Sequence, residues 1–304
     1  MNNINSFYCK MILVISLYSC NSKTSYLGQK TPGLTPELFA PSIVNTDSIE
    51  LNSVFNKSLT EFFFTRVINE SWIIHHSELV DGQWTVPQPI EMFPDQEVIS
   101  VACDMTITPD GKTMYFLGSY QEHTSGDIFM SQKIDGKWQH ATRIPEPIST
   151  ANYSEIYPVV VADGSLYFVS DRPGGIGKRD IYRAQYLGNG EFDDPVSLGP
   201  VLNSENGSGD TYVSPDESYL IYNTFRPDAG IYVSFKKENE WQEPIYLDES
   251  INSKWFDFCP YMSPEGKYLF FSRRISDPPE SGWDNIVDGK IYWVDANIIY
   301  NLNE

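Results

Sequence analysis

The chain has 304 residues, with 21 Lys plus Arg against 41 Asp plus Glu and a formal charge of −20. That balance excludes the basic surface a nucleic-acid binder needs, so no nucleic-acid partner is expected. Aromatic residues reach 14% and fall in strand-like runs, which favours β structure, and no long helical periodicity runs through the chain.

The first twenty residues read as an export signal. A short apolar run, Met11 to Leu17, follows Lys10 and is too short to span a bilayer. It ends in Leu17-Tyr18-Ser19-Cys20, which resembles a bacterial lipobox and makes Cys20 the expected lipidation site. Tyr18 departs from the small or aliphatic residue usual there, and a plain signal peptide cut elsewhere is the alternative. Residues 21–36 then read as a polar tether and 37–304 as the folded domain.

The domain is a repeat. The phrases Ile107 to Phe116, Val161 to Phe168, Val213 to Tyr222 and Met262 to Phe271 each place an acidic turn between two short strands. The turn residues are Asp110, Asp163, Asp216 and Glu265, so the steps are 53, 53 and 49. A period near fifty built from short strands implies a radial array of sheets. Each unit continues with a third strand (such as Asp180-Ile181-Tyr182-Arg183), a Gly- or Asn-containing turn with an aromatic, and a Pro-containing fourth strand suited to an outer edge. A degraded first unit, Val54 to Trp84, keeps the spacing without the Pro-Asp-Gly turn.

The expectation is therefore an all-β, five-bladed β-propeller, or a six-bladed one if residues 26–52 form more than one strand. The last unit lacks a fourth strand near Tyr300. The segment Leu38 to Thr46 resembles Ile144 to Thr150, which is a fourth strand with its exit. Residues near 38–44 are expected to pair with the last blade and close the ring, removing two sheet edges.

The Pro-Asp-Gly-Lys turn, the aromatic second strand, Ser170-Asp171-Arg172 and Asp180-Ile181-Tyr182 resemble the TolB-type, WD-repeat-like β-propeller repeat. The stretch from Tyr26 to Pro41 resembles the start of lipoproteins of that family from Bacteroidetes. The resemblance spans about residues 26–304. It implies a periplasmic interaction module, lipid-anchored on the periplasmic side of the outer membrane, that meets an envelope protein or glycan.

Candidate ligand residues come from the repeat. Glu155 and Asp257 lie eight residues before their turn acids, with Glu50 at about the same offset; Asp104 and Asp210 lie six before theirs. Two readings stand. These carboxylates can ring the channel mouth, where oxygen ligands suit calcium, or cap backbone N–H groups within their own units. Arg172 and Arg226 sit four residues past Phe168 and Tyr222, near the place of Arg66, Arg273 and Arg274. They can read a carboxylate or sugar acid at the channel, or pair with the acidic turns or Asp180. Cys103 and Cys259 read as buried thiols, and the loop 171–179 as a mobile surface loop.

No cofactor is required by these patterns. No His pair has metal-ligand spacing, and no nucleophile elbow or Asp box appears. The main function expected is non-enzymatic binding of a protein or glycan through loops such as 118–127, 171–179, 225–230 and 273–289. The alternative is a glycan-acting hydrolase using Glu155 and Asp257.

Overall fold

A computed structural model describes residues 26–93, 99–120, 126–224, 229–276 and 286–303. The expected signal, Cys20 and Arg226 lie outside them, as do parts of the loops 118–127, 225–230 and 273–289. The chain is all-β apart from short helical turns at both ends, and its strands form a β-propeller fold.

Each unit is an antiparallel meander. Its first strand is Ile49–Phe55, Ile99–Ile107, Glu155–Val160, Ser208–Val213 or Phe256–Met262. The second strand pairs with the first and the third with the second. The hairpin between the first two strands is a tight turn whose third residue has positive φ. Gly111, Gly164 and Gly266 fill that place, and Glu217 at φ 57° takes it in the fourth unit. The degraded first unit keeps the same turn with Leu59 at φ 55°, its N–H bonded to the Asn56 carbonyl at 3.0 Å. The geometry thus persists where the Pro-Asp-Gly signature does not.

A two-residue fourth strand flanks each third strand at one repeated register. Arg143 lies opposite Phe129, Ser197 opposite Tyr182, Tyr246 opposite Tyr232 and Pro89 opposite His75. In the last unit this place is taken from the front of the chain. Glu37 pairs with Trp293 and Leu38 with Tyr292, and the Phe39 N–H continues to the Ile291 carbonyl at 3.0 Å.

Apolar side chains fill the spaces between successive sheets, because alternate residues of each second strand point to opposite neighbours. Phe116 and Phe63 pack between the first two units, and Phe271 and Ile221 between the last two. A further cluster joins the last unit to the first. In it Trp293 and Phe270 meet Phe62 and Phe64 around the N-terminal Tyr26 and Phe39.

That cluster takes up Tyr26 and Leu27, which fall inside the tether expected over residues 21–36. Tyr26 and Leu27 are buried, while most of residues 28–38 lie exposed. Tyr26 is 3% exposed, its ring lies 5.1 Å from Tyr268 and 5.3 Å from Trp293, and its hydroxyl bonds Glu265. The polar sequence around it hid two apolar residues, Tyr26 and Leu27, that the core takes up.

Candidate functional site: the waist of the channel

The five first strands touch one another in cyclic order, each against the next and the fifth against the first. Each carries a β-bulge, between Leu51 and Val54, Cys103 and Thr106, Ile156 and Val159, Ser208 and Thr211, and Phe258 and Tyr261. A bulge re-aims a side chain. Asn52, Asp104, Tyr157, Asp210 and Cys259 occupy these bulges and line one cavity of about 380 Å³. Four of them, Asn52, Asp104, Tyr157 and Cys259, have φ between 49° and 57°. For Tyr and Cys that left-handed backbone is strained, and such strain concentrates at functional sites.

The same cavity extends toward the hairpin turns past Phe55, Tyr212 and Tyr261. On the opposite side lies a second cavity of about 280 Å³, lined by Trp72, Leu117 and Phe258. Asp104, Tyr157 and Asp210 line both. They therefore form the waist between two mouths.

The waist is polar and acidic. One oxygen each of Asp104 and Asp210 and the Cys259 sulfur lie within 4.8 Å of one another. The Cys103 thiol donates to Asp104 at 3.2 Å and the Cys259 thiol to Asp210 at 3.0 Å. Asn52 Oδ1 accepts the Asp104 N–H at 3.3 Å and the Thr65 hydroxyl at 3.1 Å. Burial raises the Asp104 carboxyl to about 6; burial, then the charge of Asp104, raises Asp210 to about 8. Burial also pushes both thiols well up, so each stays a donor near neutrality. Lys57 is the sole cationic residue lining either cavity among the described residues.

The other sequence candidates lie elsewhere. Glu50, Glu155 and Asp257 line neither cavity. Each takes an arginine from its own sheet: Arg66 at 3.0 Å, Arg172 at 3.0 Å and Arg273 at 2.7 Å. Each also accepts a backbone N–H and a hydroxyl, from Thr46, Thr150 and Ser253 respectively. The guanidinium groups reach back to carbonyls of Val44, Ile148 and Ile251 and lie over Phe64, Phe168 and Phe271. In these three units the constellation clamps the incoming connector to the sheet. Arg172 thus pairs with Glu155, not with a turn acid or Asp180, and Glu155 and Asp257 stand on separate sheets. The loop 171–179 is held by Asp180, whose carboxylate accepts the N–H groups of Ile176 and Gly177.

Sequence spacing found Asp104 and Asp210 and missed three companions. Tyr157 and Cys259 also stand six residues before Asp163 and Glu265. The offset was visible, but attention to carboxylates passed over a tyrosine and a thiol. A second group, Glu61, His76 and Glu78, also gathers within metal-ligand reach, although adjacent His75 and His76 carried no spacing signal. Lys133 already pairs with Glu61 there.

No family model and no curated protein matches the chain. Among solved structures, the catalytic domain of the Coprinopsis cinerea GH62 α-L-arabinofuranosidase superposes with a TM-score of 0.53 at 12% identity, over 88% of this chain and 95% of that one. An α-L-arabinofuranosidase from Lactobacillus brevis gives 0.51 at 14% identity, over 83% and 91%. TolB from Acinetobacter baumannii gives 0.48 at 17% identity; the match covers 82% of this chain and 57% of that protein. At such identities the likeness is one of fold.

Proposed function

We propose that this chain is a five-bladed β-propeller, closed by its N-terminal segment, that serves as a non-enzymatic binding module for a protein or glycan of the cell envelope. In this reading Cys20 carries a lipid that holds the disc at the periplasmic side of the outer membrane, and the anchor is its contact with the bilayer. The cyclic contact of the first strands and the shared register of the fourth strands support five units around one axis.

One observation carries the binding assignment. Where a position serves the repeat, the residue type recurs, as in Phe64, Phe116, Phe168, Tyr222 and Phe271. At the waist one repeat position holds four residue types, Asn52, Tyr157, Cys259 and the two aspartates Asp104 and Asp210, so the fold does not dictate a single type there. Two cavities give them access to solvent. The carboxylates best placed by sequence for hydrolysis, Glu155 and Asp257, are instead saturated by arginine and backbone donors, which leaves no free acid–base pair there.

A second reading rests on the waist itself. Asp104 and Asp210 are close carboxylates pushed toward neutrality, as in an acid–base pair of a glycan hydrolase. Incubating the purified protein with arabinose-containing and other envelope or plant glycans decides between the two. Turnover that Asp210→Asn abolishes would establish the hydrolase; intact glycans alongside co-purification of an envelope partner from detergent extracts support the module. Loss of radiolabelled palmitate on Cys20→Ser tests the anchor.

A further inference from the structure

We propose that the larger cavity takes an organic ammonium group on an apolar stem, seated head-first on Asp104 and Asp210. The inference rests on the binding-module reading above and names the chemistry of its ligand. Three features point to it.

The first is charge. A buried carboxylate, Asp210, and a part-buried one, Asp104, face each other at the waist, and among the described residues neither has an ion-pair partner. Their thiol partners carry no positive charge. A buried carboxylate pair is costly until a cation reaches it, and the cavity gives a cation a way in.

The second is the wall. Between the waist and the mouth the cavity is bounded by Val54, Met105, Pro260, Phe55, Tyr212 and Tyr261. Such a surface gains by covering methylene groups. Tyr157 lines the cavity beside the carboxylates, and an aromatic ring there can attract a cation.

The third is the ligand count. A hard divalent ion needs six or more oxygens. Here two carboxylates and a thiol converge, and the Asn52 oxygen is already taken by Asp104 N–H and Thr65. An alkylammonium needs fewer acceptors: its three N–H donors can be met by the two carboxylates and one further oxygen. A volume of about 380 Å³ suits a small amine or the end of a lysine side chain. The shared chemistry is the alkylammonium, and free or peptide-borne sources are separated by the test.

Isothermal titration calorimetry on the folded domain uses n-butylammonium chloride, its neutral isostere n-butanol, and the tripeptide acetyl-Gly-Lys-Gly-amide. At about pH 8 the ammonium is expected to bind saturably and the alcohol at least tenfold more weakly. Lowering the pH to about 5 should weaken binding at least tenfold, as protons occupy Asp104 and Asp210. The other titratable groups facing that site, Tyr157 and the thiols of Cys103 and Cys259, stay neutral over this range, and the exposed guanidinium of Arg179 lies near Tyr157. Asp210→Asn should cost about tenfold or more. Lys57→Ala, at the exposed rim, leaves the waist intact and should tighten ammonium binding about twofold by removing a like charge. Binding by the tripeptide as tight as by the free amine assigns a peptide source; binding by the amine alone assigns a small molecule. If n-butanol binds as well as the ammonium, or if neither cation binds up to about 10 mM, the proposal is wrong. A protein that captures an envelope partner on its loops while ignoring both ammonium probes refutes this inference and leaves the binding-module reading standing.

Discussion

Asn45 and Ile291, 246 positions apart, exchange two hydrogen bonds. The Ile291 N–H donates to Asn45 Oδ1 at 2.9 Å, and Asn45 Nδ2 donates to the Ile291 carbonyl at 2.8 Å. The same exchange joins Asn203 to Ile181 and Asn252 to Ile231, and the Ser149 hydroxyl both accepts from and donates to Ile128 in the same way. In those three cases the residue lies in the connector that leaves one unit and enters the next. Asn45 therefore does for the last sheet what the internal connectors do for the others.

That equivalence makes a quantitative expectation. Asn45→Ala leaves the buried Ile291 N–H without a partner, while its carbonyl keeps the Phe39 N–H, at a cost of about 1–3 kcal/mol. Asn252→Ala should cost about the same, because it removes the same pair of bonds at Ile231. Urea unfolding of both variants compares them directly. Removing residues 26–46 should cost far more, since it also strips Tyr26 and Phe39 from the core and bares the edge of Ile286–Asp295. A truncated domain with an unchanged midpoint would show that the front of the chain closes nothing.

The clamp formed by Glu155 and Arg172 gives a second expectation. Glu155 is fully buried. Burial pushes its pKa up, while Thr150 and Arg172 draw it back. Arg172→Met leaves that carboxylate uncompensated and should destabilise by about 3–5 kcal/mol. Adding Glu155→Gln removes the orphaned charge, so the double variant should recover part of the loss. A double-mutant cycle by chemical denaturation measures this recovery, and strict additivity would mean that the two residues act separately.

These particulars show what the chain could and could not disclose. The hairpin turns were legible because a positive-φ position favours Gly, and Gly111, Gly164 and Gly266 mark it at fixed steps. The fourth strand at Glu37–Leu38 was foreshadowed by its likeness to Ile144 to Thr150. The roles of the carboxylates were harder to read. Glu155 and Asp104 look alike as acids in first strands, yet two residues of offset place one in a clamp and the other at the waist. Strand alternation alone would have set both on one face; the bulge between Cys103 and Thr106 breaks that count. Tyr26 escaped notice because a single aromatic in a polar run has no period, and its burial depends on rings over two hundred residues away.

Glu61 sets an expectation at acid pH. Burial opposes its ionisation, but hydrogen bonds from His76 and Lys133 and the charge of Lys133 hold its carboxyl down to about 2. A carboxyl lowered on folding stabilises above its unfolded value, near 4.5, and loses that contribution as pH falls toward about 2. Glu61→Gln should therefore cost about 1–2 kcal/mol at neutral pH, discounted for partial exposure. The gap from the wild type should narrow below about pH 4. Thermal melts at neutral pH and at about pH 3 check both statements.

The waist carboxylates bend the profile the other way. Asp104 and Asp210 ionise near 3.8 when unconstrained and are raised to about 6 and about 8 in the folded chain. Between those limits the unfolded chain has released protons that the folded chain still holds. Stability attributable to the pair is therefore greatest below about pH 4 and declines as pH rises through about 6 to 8. Asp210→Asn removes one ionisation and, with it, the repulsion that opposes the other. The variant should melt at a higher temperature than the wild type at about pH 8.5 and lose that advantage toward about pH 4. Saturating n-butylammonium should rescue the wild type at the alkaline end and leave Asp210→Asn nearly unmoved, because only the wild type presents the paired charges a cation relieves. A wild-type profile that is flat from about pH 5 to 8.5 would mean that solvent reaches both carboxylates freely, and the strained bulges that carry them would then need a different explanation.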